Sequence, residues 1–199
     1  MMTTGQALGR PRNSGIDAAL LSASRELLAE VGYAHVTMDE IAARAGTSKA
    51  AIYRRFQSKA ELLFAAAMHT SNIEPPPDTG SLRGDLLALA RRIRSDMSSP
   101  TAREVAPQVL AEISRSPEVS QRLRTVFVAT ERAEIDAILT RATKRGELAR
   151  TPSVATAHRM LGGALFFTIF VIDETIDDAE LSAVVGILSA GLSAEQPGC

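Results

Sequence analysis

A chain of 199 residues is long enough for one sizeable core, or for a small domain joined to a larger one. Its formal net charge of −1 excludes uniform basicity, but the charge is unevenly spread: residues 1–60 hold eight basic and five acidic side chains, a local +3, and the remainder holds 14 and 18, a local −4. The single cysteine, Cys199, excludes a disulfide framework or a multi-thiolate metal site within one chain and fits a reducing compartment. The first residues lack the apolar core of a signal peptide. The longest nearly unbroken apolar run, Met160 to Ile172, falls short of the roughly 20 residues that a membrane helix needs. A cytoplasmic chain with no membrane partner is the expectation.

Helix start and stop signals recur along the chain while period-2 alternation is almost absent, so the expected class is all-α. Residues 1–13, polar with Gly and Pro, read as a flexible arm carrying Arg10 and Arg12. Ser14 caps a first helix in which Ile16, Leu20, Ala23, Leu27 and Val31 recur at spacings of three and four, and Gly32 ends it. Thr37 as N-cap, Glu40 as its capping-box partner and a Val36–Ile41 staple then start a short helix to about Ala45. Gly46 supplies a left-handed stop, Thr47 follows, and Ser48 caps a third helix with Ile52 and Phe56 inward. A capping box from Ser58 to Glu61 opens a fourth helix through roughly Met68, so that residues 14–72 form one unit with its connecting helix.

Pro75-Pro76-Pro77 makes residues 73–80 a stiff extended connection. Beyond it, helices are expected at about 81–97, 102–115, 117–145, 152–172 and 178–191, with Pro107 kinking or interrupting the second of them. They compose a body over 81–192, followed by a tail at 193–199.

On a wheel of 100° per residue, the helix from Ser48 turns Ala51, Ile52 and Arg55 to one side and Lys49, Ala50, Tyr53 and Arg54 to the other. The second side combines cations for phosphates, a phenol that donates to a phosphate oxygen and a small residue that permits close approach to a base edge. Amides near Thr37 and the ammonium of Lys59 are placed to hold the backbone on either side.

Gly32-Tyr33, Val36-Thr37-Met38, Ile41-Ala42, Ala45-Gly46-Thr47-Ser48, Ile52-Tyr53, Phe56 and Lys59 together resemble the DNA-binding domain of the TetR family, over about residues 14–65. The sequence departs from that pattern at Thr47, usually valine, and at Ala50, often glycine or proline. The resemblance implies an N-terminal three-helix helix-turn-helix domain whose third helix enters the major groove. It also implies a larger C-terminal helical domain for dimerisation and ligand binding. The implied DNA contacts are Thr37, Thr47, Ser48, Lys49, Ala50, Tyr53, Arg54 and Lys59, with Arg55 a weaker candidate.

The last two expected helices are apolar around much of their circumference, more than one buried face accounts for. Leu161, Leu165, Leu181, Val184, Val185 and Leu188 are therefore assigned to a homodimer seam, which the resemblance makes a four-helix interface. Two recognition helices about 34–36 Å apart then read a near-palindromic operator in double-stranded DNA. Met97, Phe127, Glu131, Phe166, Phe167 and Phe170 are the candidate lining of a mainly apolar effector pocket, with Arg94, Gln108 or Glu131 as polar anchors. His35, His69 and His158 are scattered without metal-ligand spacing, so no metal, cofactor or catalytic group is assigned. The reading is a repressor released from DNA by a small apolar or aromatic effector. The alternatives are a ligand-independent regulator, an activator, or a helical interaction module without DNA binding.

Overall fold

A computed structural model describes residues 14–68 and 78–194. The arm with Arg10 and Arg12, the proline triplet and Cys199 lie outside the described residues. Among those described the chain is helical, without strands.

α1 (Ser14–His35) buries Leu20, Ala23, Leu27 and Leu28, the stripe its spacing lays down. Val31, on the same stripe by spacing, is exposed in the last turn before Gly32. There the backbone leaves helical geometry at φ +75°, a conformation that a side chain rarely adopts. α2 (Met38–Arg44) begins at the full capping box expected at Thr37: the Glu40 amide donates to the Thr37 hydroxyl, and the Thr37 amide donates to the Glu40 carboxylate at 3.0 Å. Gly46, at φ +63°, turns the chain so that the Thr47 amide caps the Ala42 carbonyl at 2.9 Å. Ser48 caps α3 (Lys49–Tyr53), and α4 (Lys59–Met68) follows.

The body begins with α5 (Leu82–Met97) and α6 (Pro100–Arg115). α6 starts two residues before the expected position because Ser99 is the N-cap, accepting from the Ala102 amide, and Pro100 occupies the first helical position. Pro107 does not interrupt it. The ring is exposed, and lacking an N–H it deletes one bond of the helical ladder. The helix expected over 117–145 is divided into α7 (Pro117–Leu123), a π turn at Arg124–Val128 and α8 (Ala129–Lys144). α9 (Val154–Phe166) likewise runs into a π turn at Phe167–Val171, and α10 (Asp178–Ala194) closes the fold. A π turn adds a residue per turn and so rotates every side chain after it off the 3.6-residue stripe.

Two cores result. α5, α8, α9 and α10 enclose one around Leu86, Ile138, Leu139, Leu161, Leu165 and Leu181. The other is not confined to the first four helices: Ala102, Val105 and Val109 of α6, together with Phe127, join Leu20, Leu27, Leu62 and Leu63. At about 1.5–3 kcal/mol for each large apolar side chain buried, this shared core holds α6 firmly against α1 and α4. The body is fastened at its start by Asp85, fully buried, which accepts from the Thr79 amide at 2.7 Å and hydroxyl at 2.8 Å and faces Arg145 at 3.2 Å. Burial pushes the Asp85 carboxyl up, but these donors and Arg141 outweigh it and hold it below the usual carboxylate range.

Candidate nucleic-acid interface and effector cavity

The turn and caps just described set α3 so that Ala51 and Ile52 are buried and Lys49, Ala50, Tyr53 and Arg54 stand exposed. The Arg54 guanidinium makes no hydrogen bond or ion pair with another described residue, and Tyr53 is 47% exposed. Lys49 donates to Asp39 of α2 at 2.8 Å, and that bond raises its pKa, keeping the ammonium charged. The exposed Thr37 and Ser48 and the half-buried Thr47 lie at the two N-caps and the turn between them. Six of the eight candidates, Thr37, Ser48, Lys49, Ala50, Tyr53 and Arg54, are thus exposed on or beside α2 and α3.

Lys59 is placed differently. Its ammonium donates to the Tyr33 carbonyl at 2.7 Å and the Val36 carbonyl at 3.0 Å, and it lies 4.6 Å from the centre of the Tyr33 ring. Two of its three donors are therefore spent on the end of α1. Arg55 also turns inward, its Nε 2.6 Å from the Asp17 carboxylate. On the body side, Glu104 of α6 accepts from the Tyr33 amide at 2.6 Å, tying α6 to the same loop.

The dimer seam needs correction. Leu161, Leu165, Leu181, Val185 and Leu188 are no more than 3% exposed: they are this chain's own core, and Val184 is half-buried. The outward apolar stripe is instead Met160, Phe167 and Val171, with Ile187 of α10 at 72% exposed. On a helix apolar all round, composition cannot say which side faces its own chain. Val154–Val171 forms an 18-residue helix of mean hydropathy 1.5 with only 22% of it buried, long and apolar enough by those measures to cross a membrane. That much exposed hydrocarbon calls for a cover.

Two family profiles match the chain. Residues 20–66 fit the family described as bacterial regulatory proteins, tetR family, and residues 76–188 fit the tetracyclin repressor-like C-terminal domain. The chain belongs to the TetR family. Its TetR-family relatives include the HTH-type transcriptional regulator Rv1556 of Mycobacterium tuberculosis, 38% identical over 152 residues that cover 76% of this chain and 74% of that protein. The DNA-binding transcriptional repressor TetR of Mycobacteroides abscessus is 36% identical over 65% of this chain and 69% of its own length. Among solved structures, the TetR family transcription regulator SCO0332 superposes with a TM-score of 0.75 at 28% identity, covering 88% of this chain and 97% of that one. The chain is thus a transcriptional regulator with a helix-turn-helix DNA-binding domain, in a family whose members bind operators, dimerise and bind small-molecule effectors.

The TetR-family body contains a cavity of about 380 Å³ between α4, α5, α6, α8 and α9. Of the pocket residues read from sequence, Met97, Phe127, Glu131, Phe166 and Phe170 line it. Phe167 does not: seven residues after the exposed Met160, it lies on the same outward side of the helix and is 55% exposed. Nor do the proposed anchors Arg94 and Gln108. Arg94 is held by Asp178 at 2.7 Å and by the Ile176 carbonyl, and Gln108 lies on the exposed side of α6. Sequence reasoning missed Phe64 of α4, whose ring meets that of Phe127 edge-on at 5.0 Å, as well as Glu134 and His158. The i, i+3 pair Glu131 and Glu134 was the legible signal for the acidic part of the wall. His158 Nε2 lies 2.7 Å from Glu131, and Glu134 lies 2.5 Å from Arg92. Burial raises the Glu134 pKa, Arg92 opposes this, and Glu131 and Asp96 raise it further.

Proposed function

We propose that this chain is a homodimeric repressor released from a near-palindromic operator by a small, mainly apolar effector. The observation that carries the reading is the position of Phe64. It belongs to α4, which packs on α1 beneath the helix-turn-helix, and its ring forms wall in a cavity otherwise built from the body. A molecule in that cavity touches the DNA-binding half directly. Lys49, Ala50, Tyr53 and Arg54 of α3 enter the major groove, and Thr37, Thr47 and Ser48 hold phosphates on either side. The outward stripe of α9 and α10 meets its symmetry mate, which sets the distance between two α3 helices.

Release requires that the effector bind the DNA-incompetent spacing better than the competent one, because equal affinity for both shifts nothing. Filling the cavity moves α6 against α4, and Glu104 carries that motion to the Tyr33 loop. The relative named as a repressor supports the direction of control. The test is a mobility-shift search of genomic fragments, followed by a thermal-shift screen of hydrophobic metabolites and an operator-release assay on every binder. Binders that lower operator affinity at least about tenfold, a 1.4 kcal/mol coupling, bear the reading out. A broad set of cavity binders that leaves operator affinity unchanged contradicts it.

A further inference from the structure

We propose that the cavity selects a lipophilic cation: an apolar body with one ammonium-type group received by Glu131. The inference rests on the effector reading above and narrows it to a chemical class. The wall is almost wholly hydrocarbon, and the rings of Phe64, Phe127, Phe166 and Phe170 offer π faces that attract cations. Four lining residues bring charge or titratable groups: Glu131, Glu134, His158 and Arg159. Glu134 is already matched by Arg92. Arg159 is exposed and its Nε–H is taken by the Ala155 carbonyl of its own helix.

That leaves Glu131, whose carboxylate has the His158 ring at 2.7 Å as its partner among the described residues. The second ring nitrogen of His158 is buried with no partner among the described residues. Glu131 and Asp96 also act on Glu134 as like charges, against the single guanidinium of Arg92. A cation entering beside Glu131 relieves this crowding of carboxylates, whereas an entering carboxylate adds to it. A neutral ligand gains only the hydrocarbon contact. At about 380 Å³ the space lies within the roughly 300–1,000 Å³ of small-molecule sites, enough for an aromatic ring and a short chain.

Three probes of one shape isolate the charge: 4-phenylbutylamine, 4-phenylbutanol and 4-phenylbutyrate, titrated calorimetrically into the full-length wild-type protein at pH 7. The amine is expected to bind about tenfold tighter than the alcohol, and the acid most weakly. Glu131→Gln, first shown to melt like wild type, is expected to bring amine and alcohol within about twofold. Equal binding of amine and alcohol to wild type, or tightest binding of the acid, overturns the charge assignment and leaves the cavity reading standing. Failure of all three to bind overturns the cation proposal and leaves the effector reading to its own screen. The wild-type series does not depend on the variant, so a misfolded Glu131→Gln does not rescue the proposal.

Discussion

Two helical surfaces of this molecule are left exposed by its own packing, and they are opposites. The outer side of α3 offers two cations, a phenol and an alanine on a helix of five residues, held by caps at Thr37 and Ser48 and by the turn at Gly46. The outer side of α9 and α10 offers Met160, Phe167, Val171 and Ile187, on helices whose inner sides are equally apolar. The first is charged, polar or small and is stable in water unpartnered. The second carries enough hydrocarbon that leaving it in water is costly, about 25 cal/mol for each Å² exposed. A surface that waits for its partner and a surface that requires one respond differently to substitution, and that difference can be tested.

The largest effect is expected on the apolar side. Phe167→Glu with Ile187→Glu should convert the dimer to monomer or aggregate by light scattering and reduce operator affinity at least 100-fold, because a single recognition helix loses its partner half-site. A double variant that remains dimeric moves the interface off these helices. Leu188→Ala sharpens the contrast. With its side chain in the chain's own core, it should cost about 2–5 kcal/mol of stability in a denaturant melt. Its dimer affinity, measured well below the melting transition, should stay near wild type.

On the polar side the effects are smaller and leave folding untouched. Arg54→Ala should retain the wild-type melting curve and lose about 1–3 kcal/mol of operator affinity, with relaxed preference at one base position. Wild-type affinity in that variant takes Arg54 off the base edge. Lys59→Met should act in the opposite sense. Losing two bonds from an ammonium to the Tyr33 and Val36 carbonyls, it should lower the melting temperature by several degrees. The slope of log affinity against log salt should stay at its wild-type value. A slope shallower by about one unit puts the ammonium on a phosphate instead.

What could be read from the residues divides along the same line. The caps at Thr37, Ser48 and Ser58, the stop at Gly46 and the α3 wheel are local chemistry, decided within four or five residues of sequence, and they are where the sequence places them. The position of Lys59 is not local. Its ammonium answers to carbonyls 23 and 26 residues earlier, which no spacing reveals. The body helices were legible in order and extent, but the π turns at Arg124–Val128 and Phe167–Val171 were not. Leu161 and Leu165 precede the second π turn and Leu181, Val185 and Leu188 lie on α10, so their inward placement comes from how four apolar helices pack together, which composition does not reveal. The corrected stripe, Phe64 and the pairing of Glu134 with Arg92 all depend on long-range packing.

The central claim is that two α3 surfaces, spaced by the apolar seam, read DNA together. Selection of bound duplexes from a random pool by the full-length protein tests it most directly. The account predicts an enriched inverted repeat whose half-site centres lie about 10–10.5 base pairs apart, or a multiple of that, protected by two chains. No enriched sequence, or a single half-site bound by one chain, would contradict it.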